Sequence, residues 1–124
     1  MARERKIPGP DHPITIEPST EHVVVRAGET VIAETSSPLV LRESTYPAAY
    51  YVPLSDVDPA VLAESDTQTY CPYKGDASYY SVKAADGEIT DAIWTYREPY
   101  EAVAQIAGHV AFYPDRVSIS VTSE

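Results

Sequence analysis

Residues 71–75 read Cys-Pro-Tyr-Lys-Gly and hold the only cysteine of the chain and one of its three lysines. In a chain of net charge −10 a cation is scarce, so Lys74 stands out. It can hold an anionic or carbonyl group of a small molecule, or it can pair with an inward carboxylate. It can also lower the pKa of Cys71 enough to make a nucleophile, but Pro72 and Tyr73 between them need not bring the two together. Glu43 is the carboxylate of interest. It ends the run Leu39-Val40-Leu41-Arg42-Glu43, where alternation puts Leu39, Leu41 and Glu43 on one face. If the leucines face the core, Glu43 does too, unless it reaches water at the strand end. His109 is the third group. A histidine after a helix-stopping glycine can cap helix carbonyls, or serve as an acid or base near neutrality. Lys74, Glu43 and His109 therefore form the candidate catalytic set.

Aromatic side chains supply the candidate binding set. In Ala77–Lys83 alternation places Ala77, Tyr79 and Ser81 on one face, and in Asp91–Tyr96 it places Ala92, Trp94 and Tyr96 together. A hairpin of the two segments would turn Tyr79 and Trp94 inward, with Tyr96 near the mouth. Tyr51, from the run 48–53, adds a fourth ring. Tyr51, Tyr79, Trp94 and Tyr96 would then line a pocket for an apolar or planar ligand. The competing reading makes these rings an ordinary core and the polar residues a structural network. The chain would in that case be a non-enzymatic interaction module, with its tyrosines serving a partner or self-association into a homo-oligomer.

The elements that must position these residues are short. His22–Arg26, Thr30–Thr35 and Leu39–Glu43 are β-branched or leucine-rich runs broken by Gly28 and by Ser36-Ser37-Pro38. They read as a three-stranded antiparallel meander. A strand at 48–53, the hairpin 77–84 and 90–96 turning at Asp86-Gly87, and closing strands at 109–113 and 116–122 follow. Ser55, Asp56 or Asp58 with Pro59 signals a helix start. Glu98–His109 reads as a short helix with Val103, Ile106 and Ala107 inward and Gly108 as its stop. Residues 1–20, with Pro8, Pro10, Pro13 and Pro18, read as an extended arm. Residues 21–124 would then form one mainly β domain. About eight strands and two short helices imply a compact antiparallel barrel-like, tent-like or two-sheet fold.

Composition narrows the function classes. A chain of 124 residues with 44% apolar content is enough for one core. Ten tyrosines against one tryptophan and one phenylalanine mean that buried hydroxyls need partners. The acidic field repels nucleic-acid phosphates and anionic membranes, and no basic stripe offsets it. A single cysteine excludes an internal disulfide and a cysteine-rich zinc site. His12, His22 and His109 show no ligand spacing, so neither metal nor cofactor is expected. No apolar run is long enough to span a bilayer and no secretory h-region follows the basic start. A free thiol fits a reducing compartment, and the cytoplasm is the expected location.

Taken in order, the segments 9–18, Leu41–Ser44, Tyr50–Pro53, Cys71–Tyr80, Asp91–Tyr96 and 106–117 resemble the DUF427 family of small bacterial and fungal proteins. The resemblance covers nearly the whole chain. It implies a compact β-rich domain and no established activity. Some members carry a nucleotidyltransferase label. That chemistry needs a Gly-Ser pair and strand-end carboxylates holding magnesium, and this sequence has no Gly-Ser pair. Its Asp56-Val57-Asp58 precedes a helix start and reads as capping. Kinship with tent-like folds that bind zinc through cysteine pairs is also suggested, but Cys71 is alone.

Overall fold

The computed structural model describes residues 5–85 and 87–122. The turn residue Asp86 and the chain ends at 1–4 and 123–124 lie outside them. Ten strands are present among the described residues. They are β1 (Ile14–Pro18), β2 (His22–Ala27), β3 (Thr30–Thr35), β4 (Leu39–Glu43), β5 (Ala49–Pro53), β6 (Leu62–Cys71), β7 (Gly75–Ala84), β8 (Gly87–Thr95), β9 (His109–Phe112) and β10 (Ser118–Thr122). Seven form an antiparallel sheet in the order β1-β4-β5-β9-β8-β7-β6, and three form a second sheet, β10-β2-β3.

The expected meander is therefore split. β2 and β3 pair, but β4 leaves them to pair with β1 and β5. The expected arm is shorter than residues 1–20, because Ile14–Pro18 is an edge strand in which Ile14 lies opposite Glu43. Proline is tolerated there because an edge strand need not donate on both sides. β6 was hidden in the sequence for a related reason. It is an edge strand with mostly exposed or half-buried residues, so it carries no apolar alternation.

The large sheet is covered on both faces. Strand register puts Leu39, Leu41, Tyr51, Ala111, Trp94, Tyr79 and Ala77 on one face. Val52, Val110, Phe112, Ile93 and Val82 occupy the other, where they pack against Val23, Val25 and Ile32 of the small sheet. The first face forms a separate core, closed by Val103 and Ile106. Those two come from a run of 3-10 turns, Glu101–Ile106, broken by non-helical backbone at Val103. The three-residue period aligns 103 with 106. Both are fully buried while Ala107 is exposed, which corrects its expected inward position. Gly108 does stop the segment, at φ +77°. The other expected helix is two single 3-10 turns, Leu54–Asp56 and Pro59–Val61, the second capped by Asp58 accepting from the Ala60 N–H at 3.0 Å.

The large sheet coils over its first face. β4 and β7 stand four strands apart, about 19 Å in a flat sheet, yet Glu43 of β4 touches Lys74, the residue just before β7. The sheet does not close, since β1 and β6 do not pair. No helix among the described residues is long and apolar enough to cross a membrane.

Candidate functional site

Two places on the coiled face gather chemistry. The first is a buried charge cluster. The Cys71–Gly75 turn is closed by the Lys74 N–H donating to the Cys71 carbonyl at 3.2 Å, and tied down by the Tyr100 N–H donating to the Lys74 carbonyl at 3.0 Å. Gly75 takes φ +108°, a conformation that favours glycine, while a Cβ there would meet the Glu98 carbonyl at an ordinary contact distance of 3.5 Å. The turn carries Lys74 inward, where Nζ donates to Glu43 Oε1 at 2.5 Å. The other carboxylate oxygen, Oε2, lies 2.7 Å from His12 Nε2. Lys74 and Glu43 are each only 9% exposed. Cys71 Sγ is 3.8 Å from Nζ, and the Tyr96 ring centre is 5.8 Å from it. His12 stacks on Tyr73 with ring centres 4.1 Å apart and planes 8° from parallel. The Lys6 N–H also donates to the Pro72 carbonyl. Residues 5–13 are thus fastened over the turn.

Burial alone would push the Glu43 carboxyl up. Hydrogen bonds from Lys74 and His12, together with their charges, outweigh it and hold the group below the usual carboxylate range. A carboxylate depressed in the folded state stabilises fully above its unfolded value and loses that contribution as pH falls through the folded one. Thermal unfolding followed from pH 7 to pH 3 is expected to show Tm falling below about pH 4.5. Glu43→Gln should flatten that acid limb and lower Tm at neutral pH; an unchanged limb would contradict the assignment.

His109 does not join this cluster. Its Nδ1 lies 3.1 Å from the Ala107 carbonyl, the capping role that the sequence offered as an alternative to acid–base work. Register explains the separation. His109 lies opposite Pro53, whereas Leu41 lies opposite Ala49 and Glu43 two residues beyond. The offset is six residues, about 20 Å along the strands. Of the three candidate catalytic residues, Lys74 and Glu43 meet and His109 stands apart. The third member, His12, comes from the arm, and only its neighbourhood to β1, opposite Glu43, could have signalled it.

The four candidate binding rings do share one face, but they do not line one pocket. Tyr51 and Tyr96 are 1% and 7% exposed, too buried to meet a ligand. Burial pushes both phenols far up. Tyr51 instead accepts from Trp94 Nε1 at 3.0 Å. Tyr79 and Trp94, directly opposite each other on β7 and β8, are half-buried. Trp94 leans on Tyr113 with ring centres 4.5 Å apart, and the Tyr79 hydroxyl is 2.9 Å from Thr69 Oγ1. Here the second place opens, a groove of about 330 Å³ lined by Tyr79, Tyr113, Thr69, Asp91, Asp115 and Arg116, among others. Tyr113 was legible in principle, because it alternates with Ala111, and Ala111 lies opposite Trp94.

The profile of the family described as a domain of unknown function (DUF427) matches residues 15–123. The chain belongs to that family. No functionally curated protein matches this DUF427 chain. The match begins at the second residue of β1, so the family's domain takes in this strand, and the arm that remains before it supplies His12.

Proposed function

We propose that this DUF427 domain binds a small molecule in the groove walled by Tyr79 and Tyr113, with Trp94 behind them. The observation that carries the reading is the meeting of two half-buried phenol rings with three charged side chains in one groove of about 330 Å³, a size and composition suited to a small ligand. The ring set expected from alternation supplies two members, Tyr79 and Trp94, to the groove and its backing.

Lys74 and Glu43 have a different part in this reading. Each spends its charge on the other, and His12 lies within hydrogen-bond distance of Glu43, so the cluster holds the arm and the coiled sheet together rather than holding a ligand. The unpaired Cys71 suits a reducing compartment, and we place the protein in the cytoplasm.

A fragment library screened by thermal shift tests the proposal. Stabilising fragments are expected with the native protein. Their effect should vanish in Tyr113→Ala and persist in Tyr46→Ala, a change at an exposed ring (62%) outside the groove. Fragments that stabilise both variants equally would sink it.

A further inference from the structure

We infer that the groove takes a polyhydroxylated ligand, a sugar or cyclic polyol, and holds it by vicinal hydroxyls. The inference rests on the groove being a ligand site and adds the class of ligand.

Asp91 is the starting point. It takes φ +51°, a left-handed conformation that few non-glycine residues adopt, though aspartate is among the more tolerant. It sits where the β6–β7 and β7–β8 ladders both slip register, between Glu64 and Gln68 and between Tyr80 and Val82. Bulges of this kind re-aim side chains and are over-represented beside functional sites. Three hydrogen bonds fix the result. Ser65 Oγ donates to Oδ1 at 2.5 Å and Thr67 Oγ1 to Oδ2 at 2.7 Å. The Asp91 N–H donates to Ser81 Oγ at 2.9 Å. The two hydroxyls hold the Asp91 carboxyl below its ordinary range, so it stays an acceptor. A carboxylate has about four lone-pair sites, and these two bonds leave acceptor capacity on each oxygen.

The rest of the groove complements that acceptor. Arg116 brings a guanidinium fork, which only donates, and its charge is felt at Asp91. Among the described residues neither Arg116 nor Asp115 has an ion pair or side-chain hydrogen bond. Tyr113, pushed up to about 12 by burial and by the neighbouring Tyr79, keeps its hydroxyl proton and can both donate and accept. A vicinal diol presents the matching pattern: two O–H groups for a carboxylate and two oxygens for a guanidinium. The C–H face of a sugar ring suits the apolar body of a tyrosine.

Charge disfavours an anion, because two carboxylates stand against one guanidinium and leave the groove net negative; an organic cation is the competing class, which tetramethylammonium tests. No group of three His, Cys, Asp or Glu comes together among the described residues to hold a metal.

The test is a backbone amide NMR titration of the full chain with glucose, galactose, trehalose and myo-inositol, beside tetramethylammonium, phosphate and phenol. Saturable shifts at Thr69, Asp91 and Arg116 with at least one sugar or polyol are expected. Asp91→Asn, which tolerates the same backbone, should weaken that binding about tenfold or more; Arg116→Ala should do likewise. Should Asp91→Asn fail to fold, Arg116→Ala decides alone. Groove shifts with phenol or tetramethylammonium but with no sugar or polyol would overturn this inference and leave the binding groove standing. Silence from every probe would overturn both.

Discussion

Lys74→Ala is expected to lower the stability of the domain by about 3–5 kcal/mol, the usual result of removing one partner of a buried ion pair. The ammonium lies 2.5 Å from Glu43 and both residues are 9% exposed. Truncation leaves a carboxylate in a poorly solvated place with only His12 beside it. It also empties the space that the lysine stem occupies near Tyr96 and Cys71. The pair itself is a different quantity. Replacing both partners by apolar groups of similar volume removes two desolvation penalties along with one attraction, and is often close to neutral. Lys74→Met combined with Glu43→Met is therefore expected to recover most of the loss. Urea unfolding followed by the fluorescence of Trp94, the sole tryptophan, measures both variants. A Lys74→Ala protein within about 1 kcal/mol of the native one would show that water reaches the pair and screens it.

That pair shows how far alternation alone can see. The spacing of Leu39, Leu41 and Glu43 offered an inward carboxylate beside one that reaches water, and the scarcity of cations was enough to single out Lys74. Two-residue periodicity is a local rule: it held for Tyr79 and Trp94, which do lie opposite each other, and it failed at Ala92, which packs beside Ile93 in the other core because the β7–β8 ladder slips there. It says nothing about how far along the sheet a residue ends up. His109 fell on the right face and about six residues from Glu43 in register, because strand offset is set by the β4–β5 and β5–β9 pairings. Nor does it see edges. β6 and β1 have little to bury on their outer sides, so their sequences look like loop and arm. The arm's His12 therefore went unassigned, although it completes the Glu43 cluster. Asp91 was hidden for another reason: its left-handed backbone sits in the longer, β8 side of the β7–β8 ladder slip, between Ile89 and Ile93. The slip depends on which β7 residues pair with β8, and alternation within one segment does not show that.

Ile106→Ala is the second large effect, expected at about 2–5 kcal/mol from lost burial and the cavity left behind. Ile106 is fully buried, and it belongs to the smaller core, with Leu41, Tyr51, Ala77, Tyr96, Val103 and Ala111. Its segment has little stability of its own. A 3-10 run has poorer hydrogen-bond geometry than an α-helix, and this one is broken at Val103. What holds it down is the insertion of Val103 and Ile106, helped by the Tyr100 N–H bond to the Lys74 carbonyl. The site can therefore relax by letting the segment lift, and that relaxation decides where in the range the value falls. A small loss, near 2 kcal/mol, should come with faster amide exchange at Val103 and Ala107, the sign of local opening. A loss near 5 kcal/mol should leave exchange there tied to global unfolding. Gln105→Ala, one residue away and exposed, is the control and should change stability by no more than about 0.5 kcal/mol. Equal values for the two variants would mean that this segment does not close the core. The coiled face would then be open along its length, with Tyr51 and Tyr96 within reach of ligands after all.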